Sequence, residues 1–244
     1  MAKIIKKSSH LEKEYRRKQH HALRWFLGSL PGLFITVAGI SPHQPVLLGI
    51  GILWFFICLI LALLPVRDLN GLKAGIQGEN AAADLLQSLP ESYLCLQNAT
   101  VSYRGKASEM DLVVAGPTGV FIVEVKNRNG RITGNIEDKN WVQHKIGRRG
   151  GEYDSSFYNP TKQVGTHIYR LAHHLRSHGC DIHIHGAVLF PNPDSALTLT
   201  GESDQIPVFS GADGGKSLLQ HIRKHTPPLS PETCKQVFSC LKKL

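Results

Sequence analysis

Two runs decide the fold: SEMDLVVA, residues 108–115, and VFIVEVKN, residues 120–127, separated by Gly116-Pro117-Thr118-Gly119. Both alternate apolar and polar side chains over part of their length, and a glycine-bounded turn joins them, so they predict an antiparallel strand pair. With an even-numbered loop centred on Pro117-Thr118, Asp111 faces Glu124 and Glu109 faces Lys126. Four polar side chains then share one face, and Met110, Leu112, Val123 and Val125 line the other. Pro117 cannot adopt the positive φ of a type I′ turn, which favours a four-residue loop closed by Ala115 and Val120 in the same register. A three-residue loop would slip the register by one and separate Asp111 from Glu124 unless a bulge corrected it.

Two carboxylates held side by side repel each other unless a divalent cation, or a network of lysine and arginine, offsets the charge. Asp111 and Glu124 read as the ligand pair. Lys126, two residues after Glu124, points the same way, where its ammonium can orient a bound water or steady charge developing on a phosphate. Oxygen donors with open water positions suit Mg²⁺ or Mn²⁺ better than zinc. The bland alternative is a solvated salt-bridge network of Asp111, Glu124, Lys126 and a neighbouring arginine.

Working outward, LKAGIQGENAAADLLQSL, residues 72–89, places Ile76, Ala83, Leu86 and Leu89 on a helical stripe that Pro90 ends. Gly78 inside it costs about 1 kcal/mol relative to alanine and hints at a close approach. Residues 93–96 and 101–103 read as strand, as do 131–133, 141–142, 182–190 and 206–209. Residues 145–153 read as a basic, glycine-containing loop. Asn159 and Pro160 open a helix that Gly179 stops, and two further helices cover 215–225 and 230 to the C-terminus. Arg128, Arg131, Lys145, Arg148 and Arg149 would grip phosphates or form a solvated loop. His173, His174, His178, Cys180, His183 and His185 admit a soft-metal site, but alternation explains His183 and His185 as one exposed strand face. The five cysteines show no CxxC pair and an odd count, which fits a reducing compartment.

The formal charge is +9, yet residues 1–24 hold eight of the 28 Lys/Arg and two of the 19 Asp/Glu, so most of the excess sits there. From Trp25 to Val66 no Asp, Glu, Lys or Arg occurs, and Ser41-Pro42-His43-Gln44-Pro45 divides that run in two. A basic cytoplasmic tail (1–24), a two-segment transmembrane hairpin (25–66) and a linker (67–74) are therefore expected. The piece 46–64 is long enough to span and 25–40 is marginal. Positive charge on both flanks and none in the connecting loop places both ends, and the soluble domain, on the cytoplasmic side of the inner membrane, with anionic lipid near the tail. A signal peptide followed at once by a stop-transfer span would still leave an anchor.

Several of these runs together resemble the PD-(D/E)xK nuclease superfamily and, more closely, the nuclease-related domain (NERD) family. They are GlyGluAsn (78–80), GluMetAspLeuValVal (109–114), GlyValPheIleValGluValLysAsn (119–127) and AsnProThrLysGln (159–163). The resemblance implies an α/β, restriction-endonuclease-like mixed sheet flanked by helices, with a core over 75–190 and a C-terminal extension of the same domain over 191–244. It further implies hydrolysis of DNA or RNA with Mg²⁺ or Mn²⁺ held by Asp111, Glu124 and the Val125 carbonyl. Lys126 is then the electrostatic catalyst, Glu79 an additional acid, and Gln163 a polar residue of the following helix. A non-catalytic nucleic-acid-binding or membrane scaffold that kept the fold is the alternative.

Overall fold

The computed structural model describes residues 1–40, 44–147, 150–201, 205–224 and 228–244. The expected hairpin turn at 41–43 and the phosphate contacts of Arg148 and Arg149 lie outside the described residues. In chain order the elements are β1 (Lys3–Lys6), α1 (His10–Ala38), α2 (Pro45–Leu63), α3 (Val66–Gln87), β2 (Leu94–Tyr103), β3 (Lys106–Gly116), β4 (Gly119–Val125) and β5 (Gly130–Asn135). There follow β6 (Asn140–Ile146), β7 (Glu152–Tyr158), α4 (Pro160–Ser177), β8 (Ile184–Leu189), β9 (Ser195–Thr200), β10 (Val208–Phe209), α5 (Gly214–Lys224) and α6 (Pro231–Leu241). The chain divides into two units, Ser9–Ile76 and Met1–Ser8 with Gln77–Leu244.

In the unit Ser9–Ile76, the Ser9 hydroxyl caps α1 by accepting from Glu12 N–H at 3.0 Å. The basic stretch expected as a tail is thus helical from His10, and residues 67–74, expected as a linker, lie inside α3. Small residues let α1 and α2 touch: a Cβ on Gly32 would run into Trp54 and the Phe55 backbone, and one on Gly51 into Thr36. Large apolar side chains such as Phe34, Val37, Leu53, Phe56 and Ile60 face outward. Among the described residues one stretch, beginning at Pro45, is long and apolar enough to cross a membrane. The expected second span is not matched, because the first half of α1 is basic.

The other unit is mixed α/β. One sheet runs β1-β2-β3-β4-β8-β10 and a second runs β7-β6-β5-β9. Ala82, Ala83 and Leu86 of α3 and Leu218 and Ile222 of α5 cover one face of the larger sheet. Leu171 and Leu175 of α4 and Val237, Cys240 and Leu241 of α6 cover the other. Trp141, Phe157 and Phe190 centre the core under the smaller sheet.

In the β3–β4 pair Leu112 lies opposite Val123 and Ala115 opposite Val120, the expected register. The loop is tighter than expected, since pairing continues to Gly116–Gly119 and leaves only Pro117 and Thr118 between. The positive φ is carried by Gly119, at +132°, so Pro117 keeps its own backbone preference. Between β2 and β3 the ladder passes from Gln97–Leu112 to Ala99–Met110 and skips Asn98 and Asp111. Asn98 adopts φ 60° there. Both strands change faces at this step: Leu94, Leu96, Ala99 and Val101 share one core with Val113 and Met110, whereas Leu112 and Val114 belong to the other. Met110 therefore does not share the face of Leu112. Glu109, its neighbour, is turned away from the face that carries Lys126, which corrects the expected row of four polar side chains.

Candidate active site

The step at Asn98 and Asp111 builds the site. Released from the ladder, Asp111 is half-buried, and its Oδ2 accepts the Val125 N–H at 2.8 Å, where a strand carbonyl would otherwise serve. On the next strand Glu124 is buried beneath α4. Its Oε1 accepts from Lys126 Nζ at 2.6 Å, and Lys126 Nζ also donates to Gln163 Oε1 at 3.2 Å. Asn159 sets α4 in place by accepting from Thr161 N–H at 2.9 Å, so Gln163 and His167, one turn apart, face the strand ends. His167 Nε2 stands 3.4 Å from Glu124 Oε2, and its Nδ1 is 3.2 Å from Ser108 Oγ. Glu124 Oε2 is buried with no hydrogen bond among the described residues.

Burial, the largest influence, and then the Glu124 and Glu79 charges hold the Asp111 carboxyl well above its usual range, against the opposing pull of Lys126 and the Val125 N–H. Burial pushes Glu124 up as well, but Lys126 and His167 outweigh it and the carboxyl lies below its usual value. Lys126 loses hydration, which lowers it, yet Glu124 and Asp111 raise it overall. The cluster is thus one ion pair, Glu124–Lys126, beside a carboxyl that resists ionising.

Glu79 is buried on α3, close enough for its charge to act on Asp111. Its neighbour Gly78 sits against Asn127, whose side chain a Cβ would strike, so the expected close approach is met just past Lys126. Arg128 is half-buried, donates to Gln143 Oε1 at 2.7 Å and lies 4.1 Å from the centre of the Phe157 ring. Burial and the Arg128 charge together lower Lys145. Arg128 and Lys145 are therefore brought together. Arg131 is exposed and projects from the opposite face of the smaller sheet, because it alternates with buried Ile132, which pairs with Gln143. Sequence reading missed Ser108, Gln143 and His167. His167 was legible in principle, lying one turn after Gln163 on an amphipathic helix.

Asp111 and Glu124 offer oxygen donors of the kind hard cations take, and a bound cation would relieve a Glu124 Oε2 that makes no hydrogen bond among the described residues and an Asp111 carboxyl held above its usual range. These residues fit such an ion. Among the described residues no three His, Cys, Asp or Glu side chains group to hold a metal, so the third donor would be main chain, and the histidine–cysteine alternative gathers no site.

Residues 74–191 match the sequence profile of the nuclease-related domain. This segment is a NERD domain. An uncharacterized protein of Bacillus anthracis is 34% identical over 123 residues, covering 48% of this chain and 56% of that protein. The chain thus aligns with little more than half the length of that relative. No solved structure matches. Membership gives the segment a nuclease-related character in general; domains of this kind generally use divalent metals. It also covers every candidate site residue from Glu79 to Gln163.

Proposed function

We propose that the NERD domain is a metal-dependent phosphodiesterase acting on DNA or RNA, anchored to the inner face of the cytoplasmic membrane. The observation that carries this reading is the buried Glu124 carboxylate, whose Oε2 makes no hydrogen bond among the described residues and has His167 3.4 Å away, beside the Asp111 carboxyl and with a lysine ammonium two residues on. Asp111, Glu124 and the Val125 carbonyl would hold Mg²⁺ or Mn²⁺. Bound there, the ion supplies a water of lowered pKa and neutralises a phosphate oxygen. Lys126, kept protonated by its two acidic neighbours, sits where it can stabilise charge on the phosphate, and Gln163 fixes its direction. Glu79 adds negative charge that strengthens cation capture. Arg128 and Lys145 supply positive charge from the smaller sheet. Cleavage of single- and double-stranded DNA and RNA by the full-length chain with Mg²⁺ or Mn²⁺ tests the reading. Activity that survives Asp111→Asn and Lys126→Ala sinks it.

One observation favours a second reading. The Glu124–Lys126 ion pair already neutralises both partners, as in a domain that binds nucleic acid without cutting it. Tight binding with no metal-dependent turnover would select that alternative.

The anchor is supported by the apolarity of α2, by its outward-facing large side chains and by the small-residue contact with α1. In this reading α1 takes the chain into the bilayer and α2 carries it back beside it. The strand β1, before these helices, and β2, after them, lie side by side in one sheet, which fits an even number of crossings. Basic residues 3–24 then favour the cytoplasmic side and anionic lipid.

A further inference from the structure

Away from the carboxylates, planar and cationic side chains gather where the β2–β3 hairpin meets α4. Tyr103 and His173 stack with ring centres 4.4 Å apart and planes 14° from parallel. Tyr169 abuts both, 5.7 Å from Tyr103 and 4.5 Å from His173, and is itself 51% exposed. The Arg104 guanidinium stands 5.4 Å from the Tyr103 ring centre. A tight turn with positive φ at Arg104 (49°) and Gly105 (73°) presents it. The hairpin is fastened to α4 by Arg170, which donates to the Ala107 carbonyl at 3.0 Å and to Ser108 Oγ. Ser108 also contacts His167, so this cluster and the carboxylate site share one support.

Basic residues predominate around the rings. Residues 103–108 contain Arg104 and Lys106 and no acid, with Glu109 next along β3; α4, residues 160–177, contains Lys162, Arg170 and Arg176 and no acid, and of these Arg176 is paired with Asp181. Tyr169 lies six residues beyond Gln163, roughly 9 Å along the helix. That is two or three base steps at about 3.4 Å each. Exposed aromatic rings flanked by cations receive unpaired bases, because every base offers a π-face while a duplex keeps its bases stacked inside.

We propose that Tyr169, with the Tyr103–His173 stack and Arg104, is a stacking platform for an unpaired base, so that the substrate is single-stranded nucleic acid or a single-stranded flap. This rests on the reading of the domain as one that acts on nucleic acid. It is tested with the full-length chain carrying Asp111→Asn to block cleavage, using a labelled single strand of about twelve nucleotides and its duplex. Tyr169→Ala and His173→Ala are each expected to weaken single-strand binding roughly 5- to 100-fold, with duplex binding unchanged. Tyr169→Phe, which keeps the ring, restores it. Equal losses on both forms, or none, would overturn the platform. Cleavage is measured separately on the chain without Asp111→Asn. A ring-specific loss of single-strand binding in a chain that never cleaves leaves the platform standing and defeats the phosphodiesterase reading. Metal-dependent cleavage by a chain whose ring variants bind normally does the reverse.

Discussion

Asp111 and Lys126 are expected to have opposite effects on stability and the same effect on activity. Because the folded Asp111 carboxyl sits above its ordinary value, its contribution is most favourable below that value and is lost as pH rises through the folded pKa. Glu124 is shifted down, so its contribution is present above the ordinary carboxylate value and is lost as pH falls through the folded pKa. Asp111→Asn should therefore stabilise the metal-free protein by on the order of 1–2 kcal/mol at neutral pH and flatten the loss of stability with rising pH. Lys126→Ala leaves the buried Glu124 with His167 as its remaining charge partner and should cost about 2–4 kcal/mol. Melting temperatures in a chelator between about pH 4 and pH 8 check both signs. A destabilised Asp111→Asn would mean that the carboxyl is not held under electrostatic strain. At this scale the sequence disclosed the acids and the lysine through alternation and spacing. It did not disclose His167 or Gln143, since a polar residue reads the same whether it faces a site or solvent.

Elements show where local pattern suffices and where it fails. The β3–β4 register was legible because glycines bound the turn and apolar side chains leave one pairing that buries them. The change of face at Asn98 and Asp111 was not, because it depends on a non-glycine residue at positive φ, which alternation does not mark. Strands β7 and β9 escaped notice because EYDSSFY and SALTLT are exposed over most of their length. The Asn98 step can be tested by separating backbone from side chain. Asn98 Nδ2 donates to the Lys7 carbonyl at 2.9 Å, so glycine loses one hydrogen bond while alanine also meets the penalty of left-handed φ. Asn98→Ala should cost about 1–2 kcal/mol more than Asn98→Gly in chemical denaturation; equal costs would mean that the φ carries no strain. On α3, Gly78→Ala would gain about 0.5–1 kcal/mol on a free helix. Against Asn127 it should instead destabilise by about 1–3 kcal/mol, as overpacking does. Any net stabilisation would show that α3 does not press on Asn127 beside Lys126.

For the whole molecule, the informative feature is a strand of four residues, KIIK, that no pattern flagged. Its partner β2 is far along the chain, and the apolar helices α1 and α2 intervene. The domain therefore cannot complete its sheet until those helices have been made, and in the proposed membrane reading the sheet closes only if the chain returns to the side it left. Ala2 is buried and the Lys3 N–H reaches the Tyr93 carbonyl at 3.2 Å, so the extreme N-terminus is part of the nuclease-related domain's own packing. Fusing a reporter that fluoresces only in the cytoplasm to either end of the chain should give signal at both. Fusing a phosphatase active only outside the membrane should give activity at neither. A split result would break the pairing of β1 with β2 as well as the anchor. Deleting residues 2–7 separates the two: it removes β1 but leaves the apolar helices, so the protein should remain in the membrane fraction while the domain's melting temperature falls. Loss from the membrane with an unchanged melting temperature would mean that the N-terminal strand serves insertion and contributes nothing to the sheet.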